Sequence, residues 1–189
     1  MAVEPNQAMR EVAEELLVGY SRLRIMNGTA EDAQLPDHSV DYITCAQAFH
    51  WFDRSPTLAE FKRILKPGGK VILIWNSRRT SGTPFLEEYD QFLHTYGTDY
   101  IKVKHTNITL DTLTSFFKHG GLKEARFSLT QRFDFDGLRG RLLSSSYSPV
   151  AGHSNYEPMI TELQNIFKRN NLNGQVLFEY ETQVFWGEI

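Results

Sequence analysis

"VDYITCAQAFHWFDRSPTLAEFKRILKPGGKVILIWN", residues 40–76, decides the fold class because its apolar pattern changes period twice. Residues 40–49 read as an apolar strand. Ser55-Pro56 then opens a helix, with proline at the first helical position, where its missing N–H does no harm. Leu58, Phe61, Ile64 and Leu65 recur at the spacing of one buried helical face, and Lys-Pro-Gly-Gly (66–69) stops the helix. "KVILIW" (70–75) follows as a fully apolar strand, the kind a sheet covered on both faces requires. Strand, helix, strand in this order predicts a parallel pair joined by a right-handed crossover.

Upstream, "AVEPNQAMREVAEELL" (2–17) reads as the tail of a strand feeding a helix. Met9, Val12, Ala13, Leu16 and Leu17 form its stripe, which predicts one buried face. "RLRIMNG" (22–28) is a short strand ended by Asn-Gly, and 28–39 is a polar loop containing Pro36. Downstream, 83–96 and 110–121 are helical, 124–135 alternates like a strand, and 137–149 and 156–170 are two more helices. The chain closes in an aromatic-rich strand over 174–189. Two late strands separated only by helices predict an antiparallel edge added to a parallel sheet.

With 189 residues the chain fits one domain with a sizeable core. It is 41% hydrophobic and 23% charged, which is ordinary globular composition. A net charge of -3 gives no electrostatic reason to expect nucleic acid. The single cysteine, Cys45, excludes an internal disulfide and fits a reducing compartment. The run at 71–75 is far too short to span a bilayer, and the apolar residues near Met1 are helically spaced, unlike a signal peptide. A soluble cytoplasmic protein without a membrane partner is expected.

In open α/β sheets ligands sit beyond the carboxyl ends of the strands, so the residues there are the candidates. Glu4 follows the first strand; it would accept the hydroxyls of a ribose, or simply begin the helix at its positive end. Glu31 and Asp32 lie in the loop after the second strand, either solvated or in use. Gln47, His50, Trp51 and Phe52 follow the third, a polar-aromatic cluster that core packing alone explains poorly. Cys45 lies inside the strand and reads as a core residue rather than a nucleophile. The Lys-Pro-Gly-Gly glycines precede a strand, whereas phosphate cradles precede a helix, so they are a turn. The six histidines have no metal-ligand spacing, and no metal site is expected.

"GTAEDAQLPDHSVDYITCAQAFHWFD" (28–53) followed by a helix and "LKPGGKVILIWN" (65–76) resembles the class I S-adenosylmethionine-dependent methyltransferases. The Phe-His-Trp-Phe run, Trp75-Asn76 and "RLLSSSYSP" (141–149) are similar to its small-molecule, trans-aconitate methyltransferase-like branch. The resemblance implies a Rossmann-like α/β fold, doubly wound and mostly parallel, with an antiparallel C-terminal strand. It divides the single domain 1–189 into a cofactor-binding half, 1–82, and a second half, 83–189, with substrate-side helices at 137–170. It implies S-adenosylmethionine as cofactor and a small-molecule methyl acceptor. Glu4 matches the ribose acid, Thr29, Ala30 and Glu31 the loop bordering the adenine, and Gln47 the position lining the methionine moiety. His50 and Trp51 fall between cofactor and substrate, with His50 as the candidate base, while Arg141, Ser145 and Tyr147 would recognise a carboxylate or other polar group.

The family's Gly-x-Gly loop, expected before Glu4, has no counterpart in residues 1–189, nor do the first strand and most of the second. That departure makes this a truncated form, an incomplete cofactor-binding half. The expectation is that the strand at 22–27 closes onto that at 40–45, or that another chain fills the gap, a homodimer through exposed sheet edges being the natural form. The rival function is a catalytically silent binding or dimerisation module. A nicotinamide-dependent oxidoreductase shares the sheet but also needs a glycine fingerprint, and ranks far behind.

Overall fold

The computed structural model describes residues 1–98, 100 and 109–189. In chain order the elements are β1 (Ala2–Val3), α1 (Gln7–Leu16), β2 (Ile25–Met26), β3 (Val40–Ala46), a 3-10 turn (Phe49–Trp51), α2 (Arg54–Ile64) and β4 (Leu65–Arg78). Then come α3 (Pro84–Tyr96), α4 (Leu110–Phe116), β5 (Lys123–Phe133), α5 (Phe135–Leu143), α6 (Tyr156–Asn170) and β6 (Val176–Gly187). The α/β class and the parallel β3–α2–β4 unit are as the sequence predicts.

The four-stranded sheet runs β3-β4-β6-β5. β3 and β4 are parallel. β6 opposes β4: Asn76 bonds Thr182, whereas Arg79, further along β4, bonds Glu179, earlier in β6. The final strand is therefore antiparallel, as expected, and the two late strands together extend one side of the parallel pair, with β5 outermost. Composition explains the order of the two. β6 buries Val176, Phe178, Tyr180 and Phe185, whereas β5 carries Lys123, Glu124, Arg126 and Arg132 and is mostly exposed, as suits an edge strand.

β1 and β2 form a separate two-stranded parallel sheet. The expected closure of residues 22–27 onto 40–45 does not occur, and β3 has no strand on its outer side among the described residues. The connecting loop is fastened to α2 instead. Ala33 N–H donates to the Glu60 carboxylate at 2.9 Å, and His38 and Ser39 donate to the carbonyls of Arg63 and Ile64. The chain thus enters β3 from the end of α2 rather than turning back from β2.

Two local expectations change. Asp53, not Ser55, caps α2, its Oδ1 accepting the Ser55 N–H, so Pro56 sits one turn in, still where no helical N–H is needed. Lys-Pro-Gly-Gly does not separate helix from strand, because β4 begins at Leu65. Val40 pairs with Leu65 and Tyr42 with Lys70, so residues 66–69 bulge out of the ladder. Gly68 takes φ +77, and a Cβ on Gly69 would stand 2.9 Å from the Lys66 carbonyl and 3.0 Å from that of Asp41.

The chain packs as two compact units. The first comprises Met1–Ile74, Ile108–Glu124 and Val184–Ile189. Its core holds Phe49, Phe61, Val71, Leu73 and Phe116, with Phe49 edge-on to Phe116 at 4.8 Å. α1 departs from the reading here: its apolar stripe is not buried, and Met9, Val12 and Leu16 are more than half exposed. Its neighbour β2 is two residues long and too short to cover it. The second unit comprises Trp75–Asn107 and Ala125–Gln183, with α3 and α6 packed around Leu86, Leu93, Leu163 and Phe178.

Candidate functional site

In the first unit the candidates lie where β1, β2 and β3 end. The Glu4 N–H donates to the Met26 carbonyl at 3.1 Å, fixing the end of β1 against β2. The Glu4 Oε1 accepts the Asn6 N–H at 2.9 Å, and Arg10 binds the Glu4 and Pro5 carbonyls and Asn27. Glu4 therefore helps begin α1 with one carboxylate oxygen, and its side chain is half-buried.

The Thr29 Oγ1 accepts the N–H groups of Glu31 and Asp32 at 3.2 and 3.1 Å, which turns the loop tightly around half-buried Ala30. The Glu31 carboxylate accepts the Asp53 N–H at 3.0 Å and the Thr57 hydroxyl at 3.3 Å. Burial works to raise its pKa, but these bonds, with those from Thr29 and its own backbone, outweigh it and hold the carboxyl below the usual value. Glu31 is thus engaged with the first turn of α2.

Beyond β3 the backbone is tightly constrained. Gln47 takes φ +54, a left-handed conformation uncommon outside glycine, and its N–H donates to the Ile74 carbonyl at 2.9 Å. Such strain concentrates where a side chain must be aimed. The turn Phe49–Trp51 follows, anchored by Phe49, which is 1% exposed and packs on Phe52 and Phe116. His50 is half-buried and lies 4.9 Å ring to ring from exposed Trp51. Burial pushes the His50 pKa down, so the imidazole is neutral at pH 7 and able to take a proton. In β3 itself, burial pushes the Cys45 thiol up to about 12, leaving it unreactive, as its place in the core leads one to expect.

In the second unit Arg141, Ser145 and Tyr147 come together at the end of α5. The Arg141 guanidinium donates to the Ser145 Oγ at 3.1 Å. Tyr147 stacks edge-on with Tyr100 at 5.1 Å, and its carbonyl accepts the N–H of Thr98.

The sequence reading missed several residues. Glu60, 8% exposed, ties the 29–39 loop to Arg63, whose guanidinium it accepts at 2.7 and 2.8 Å; its spacing three residues before Arg63 was the available signal. Tyr180 belongs to the inward set Val176, Phe178, Tyr180, which strand alternation could have marked. The bonds of Arg78 to Asp90 and to the Tyr100 hydroxyl have no sequence signal.

The methyltransferase-domain family model matches residues 1–73. Two uncharacterized methyltransferase relatives from Schizosaccharomyces pombe are each 30% identical to this chain, over 165 and 169 residues and 85% of its length. The chain is thus similar to methyltransferases along most of its length, and its first 73 residues match the methyltransferase-domain family. It spans 64% and 63% of the length of those two relatives. A solved structure from Anaeromyxobacter dehalogenans, assigned to the type II methyltransferases, aligns over 99% of this chain and 79% of its own with a TM-score of 0.68 at 21% identity, which shows the shared methyltransferase fold. No helix among the described residues is long and apolar enough to cross a membrane.

Proposed function

We propose that the chain acts in S-adenosylmethionine-dependent methyl transfer to a small molecule, with the first unit holding the nucleoside side of the cofactor. The observation that carries this reading is the end of β3, where left-handed Gln47 is followed at once by a neutral, half-buried His50 beside exposed Trp51. The donor set fits the cofactor. Glu4 would offer a carboxylate oxygen to ribose hydroxyls, Thr29, Ala30 and Glu31 would border the adenine, and Gln47 would line the methionine moiety. When bound, S-adenosylmethionine supplies a methyl group already activated on a sulfonium. What remains for the chain is to align the acceptor and exclude water. His50 takes the acceptor's proton when it carries one, with Trp51 holding the acceptor beside it; in the second unit Arg141, Ser145 and Tyr147 form a polar group of their own.

Calorimetric titration with S-adenosylmethionine tests the reading. Saturable binding that Glu4→Ala weakens supports it, and an absence of heat overturns it for this chain. A silent dimerisation module is the second reading, favoured by the uncovered α1 stripe and the open outer edge of β3. Its occupant would be a second copy of this chain, and a monomer by sedimentation would exclude it.

A further inference from the structure

A cavity of about 340 Å³ lies in the first unit, walled by Lys70, the turn at 118–123 and the end of β6. It is not the candidate site. Lys70 pairs with Tyr42 where β3 and β4 begin, whereas Gln47 follows the Ala46–Ile74 pair where they end. Residues 70 to 74 of extended chain separate the two by about 13 Å. Backbone contacts hold the walls. Gly120 takes φ +70, in a turn that the Gly121 N–H closes on the Lys118 carbonyl at 2.8 Å. The Lys118 N–H donates to the Glu188 carbonyl at 2.9 Å, and a Cβ on Gly187 would stand 2.6 Å from the Gly121 carbonyl.

The charge of this chamber runs against that of the chain. Lys70, Lys118 and Lys123 face a single carboxylate, Glu188, although the net charge of the protein is -3. Glu188 is already engaged. It accepts the Lys118 Nζ at 2.7 Å, and Lys118, with a smaller share from Lys70, holds its carboxyl below the ordinary value. Lys70 and Lys123 form no ion pair of their own among the described residues. Half-buried Trp186 adds an aromatic wall.

We propose that this cavity binds a phosphate monoester carried on a planar ring, the chemistry shared by aryl phosphates and nucleoside monophosphates. Lys70 and Lys123 match the two charges of such a group. A lysine ammonium is a compact point charge suited to phosphate oxygens, whereas a flat carboxylate edge is better met by an arginine fork. The ring stacks on Trp186. Glu188 sets the upper limit on charge, since a third negative charge would find no free lysine and would meet this carboxylate. The cavity lies within the size range of small-molecule sites, about 300–1,000 Å³. The proposal does not rest on the methyl-transfer reading.

The test titrates the full chain calorimetrically with phenyl phosphate and with adenosine monophosphate, against phenol, benzoate and inorganic phosphate. Phenyl phosphate should bind about tenfold tighter than each of these three controls. Lys70→Gln and Lys123→Gln should each weaken it about tenfold, and Trp186→Leu should reduce it to the level of inorganic phosphate. Glu4→Ala should leave it unchanged, which separates this cavity from the candidate cofactor site. Tighter binding of adenosine monophosphate than of phenyl phosphate, with the same response to both lysine variants, supports the proposal with a nucleotide as the ligand. The reverse order supports it with a simple aryl phosphate. No saturable binding of phenyl phosphate, equal binding of any control, indifference to both lysine variants, or loss in Glu4→Ala would each overturn it. The lysine variants decide the matter even if Trp186→Leu fails to fold.

Discussion

The Glu31 carboxylate accepts the backbone N–H of Asp53, twenty-two residues downstream, at 3.0 Å. One side chain thereby pins the loop after β2 to the first turn of α2, close to where Gln47 and His50 emerge from β3.

Replacing that carboxylate should cost stability before it costs chemistry. Glu31→Ala leaves the Asp53 N–H without its protein partner and should destabilise by about 1 kcal/mol, the usual worth of a cap. In a chain of this size that is a fall of about 2–4 °C in melting temperature. The folded-state pKa of Glu31 is lowered, so its contribution is present above the unfolded value of 4.5 and is lost as pH falls through the depressed folded value. The difference in melting temperature between wild type and variant should therefore shrink at acid pH; a constant difference would assign the loss to packing.

His50 should separate turnover from binding. His50→Ala is expected to lower the rate of methyl transfer by about a hundredfold, within the usual range for a general base, with a much smaller effect on cofactor affinity. Burial depresses the His50 pKa from its ordinary 6.5, so wild-type turnover should rise with pH through a limb below 6.5 and be flat at neutrality. Equal losses in rate and affinity would make His50 a binding residue.

The bulge at the start of β4 should tolerate no side chain at its second glycine. A Cβ on Gly69 meets two backbone carbonyls at 3.0 Å or less, and these cannot rotate away as a side chain would. Gly69→Ala is expected to destabilise by about 1–3 kcal/mol. Loss of the Val40–Leu65 pairing, seen as faster amide exchange at the start of β3 than in its later residues, is the check.

How much of this was legible beforehand followed from the range of the forces involved. Periodicity is local, so α6 (Tyr156–Asn170) and the β3–α2–β4 unit could be read directly from the spacing of their apolar residues. The placement of β6 is not local: a strand that bonds equally on both sides looks the same in sequence wherever it is inserted, and only the polar character of β5 gave a hint. The α1 stripe shows the converse, since amphipathic spacing specifies which face is apolar but not what covers it. At the site, Gln47 and His50 were legible because they follow a strand. The engagement of Glu31 with α2 was not, because it joins residues whose separation carries no pattern.

The order β3-β4-β6-β5 has a consequence in time. Asn76 and its partner Thr182 are separated by 106 positions, so one side of β4 waits for a segment made long after it. During synthesis at roughly 5–20 residues per second, that apolar flank stays open for about 5–20 s. Contacts so distant in sequence slow folding and leave a nascent edge open to other strands. The same insertion that completes the sheet makes this a chain that should lean on holding factors while it is being made.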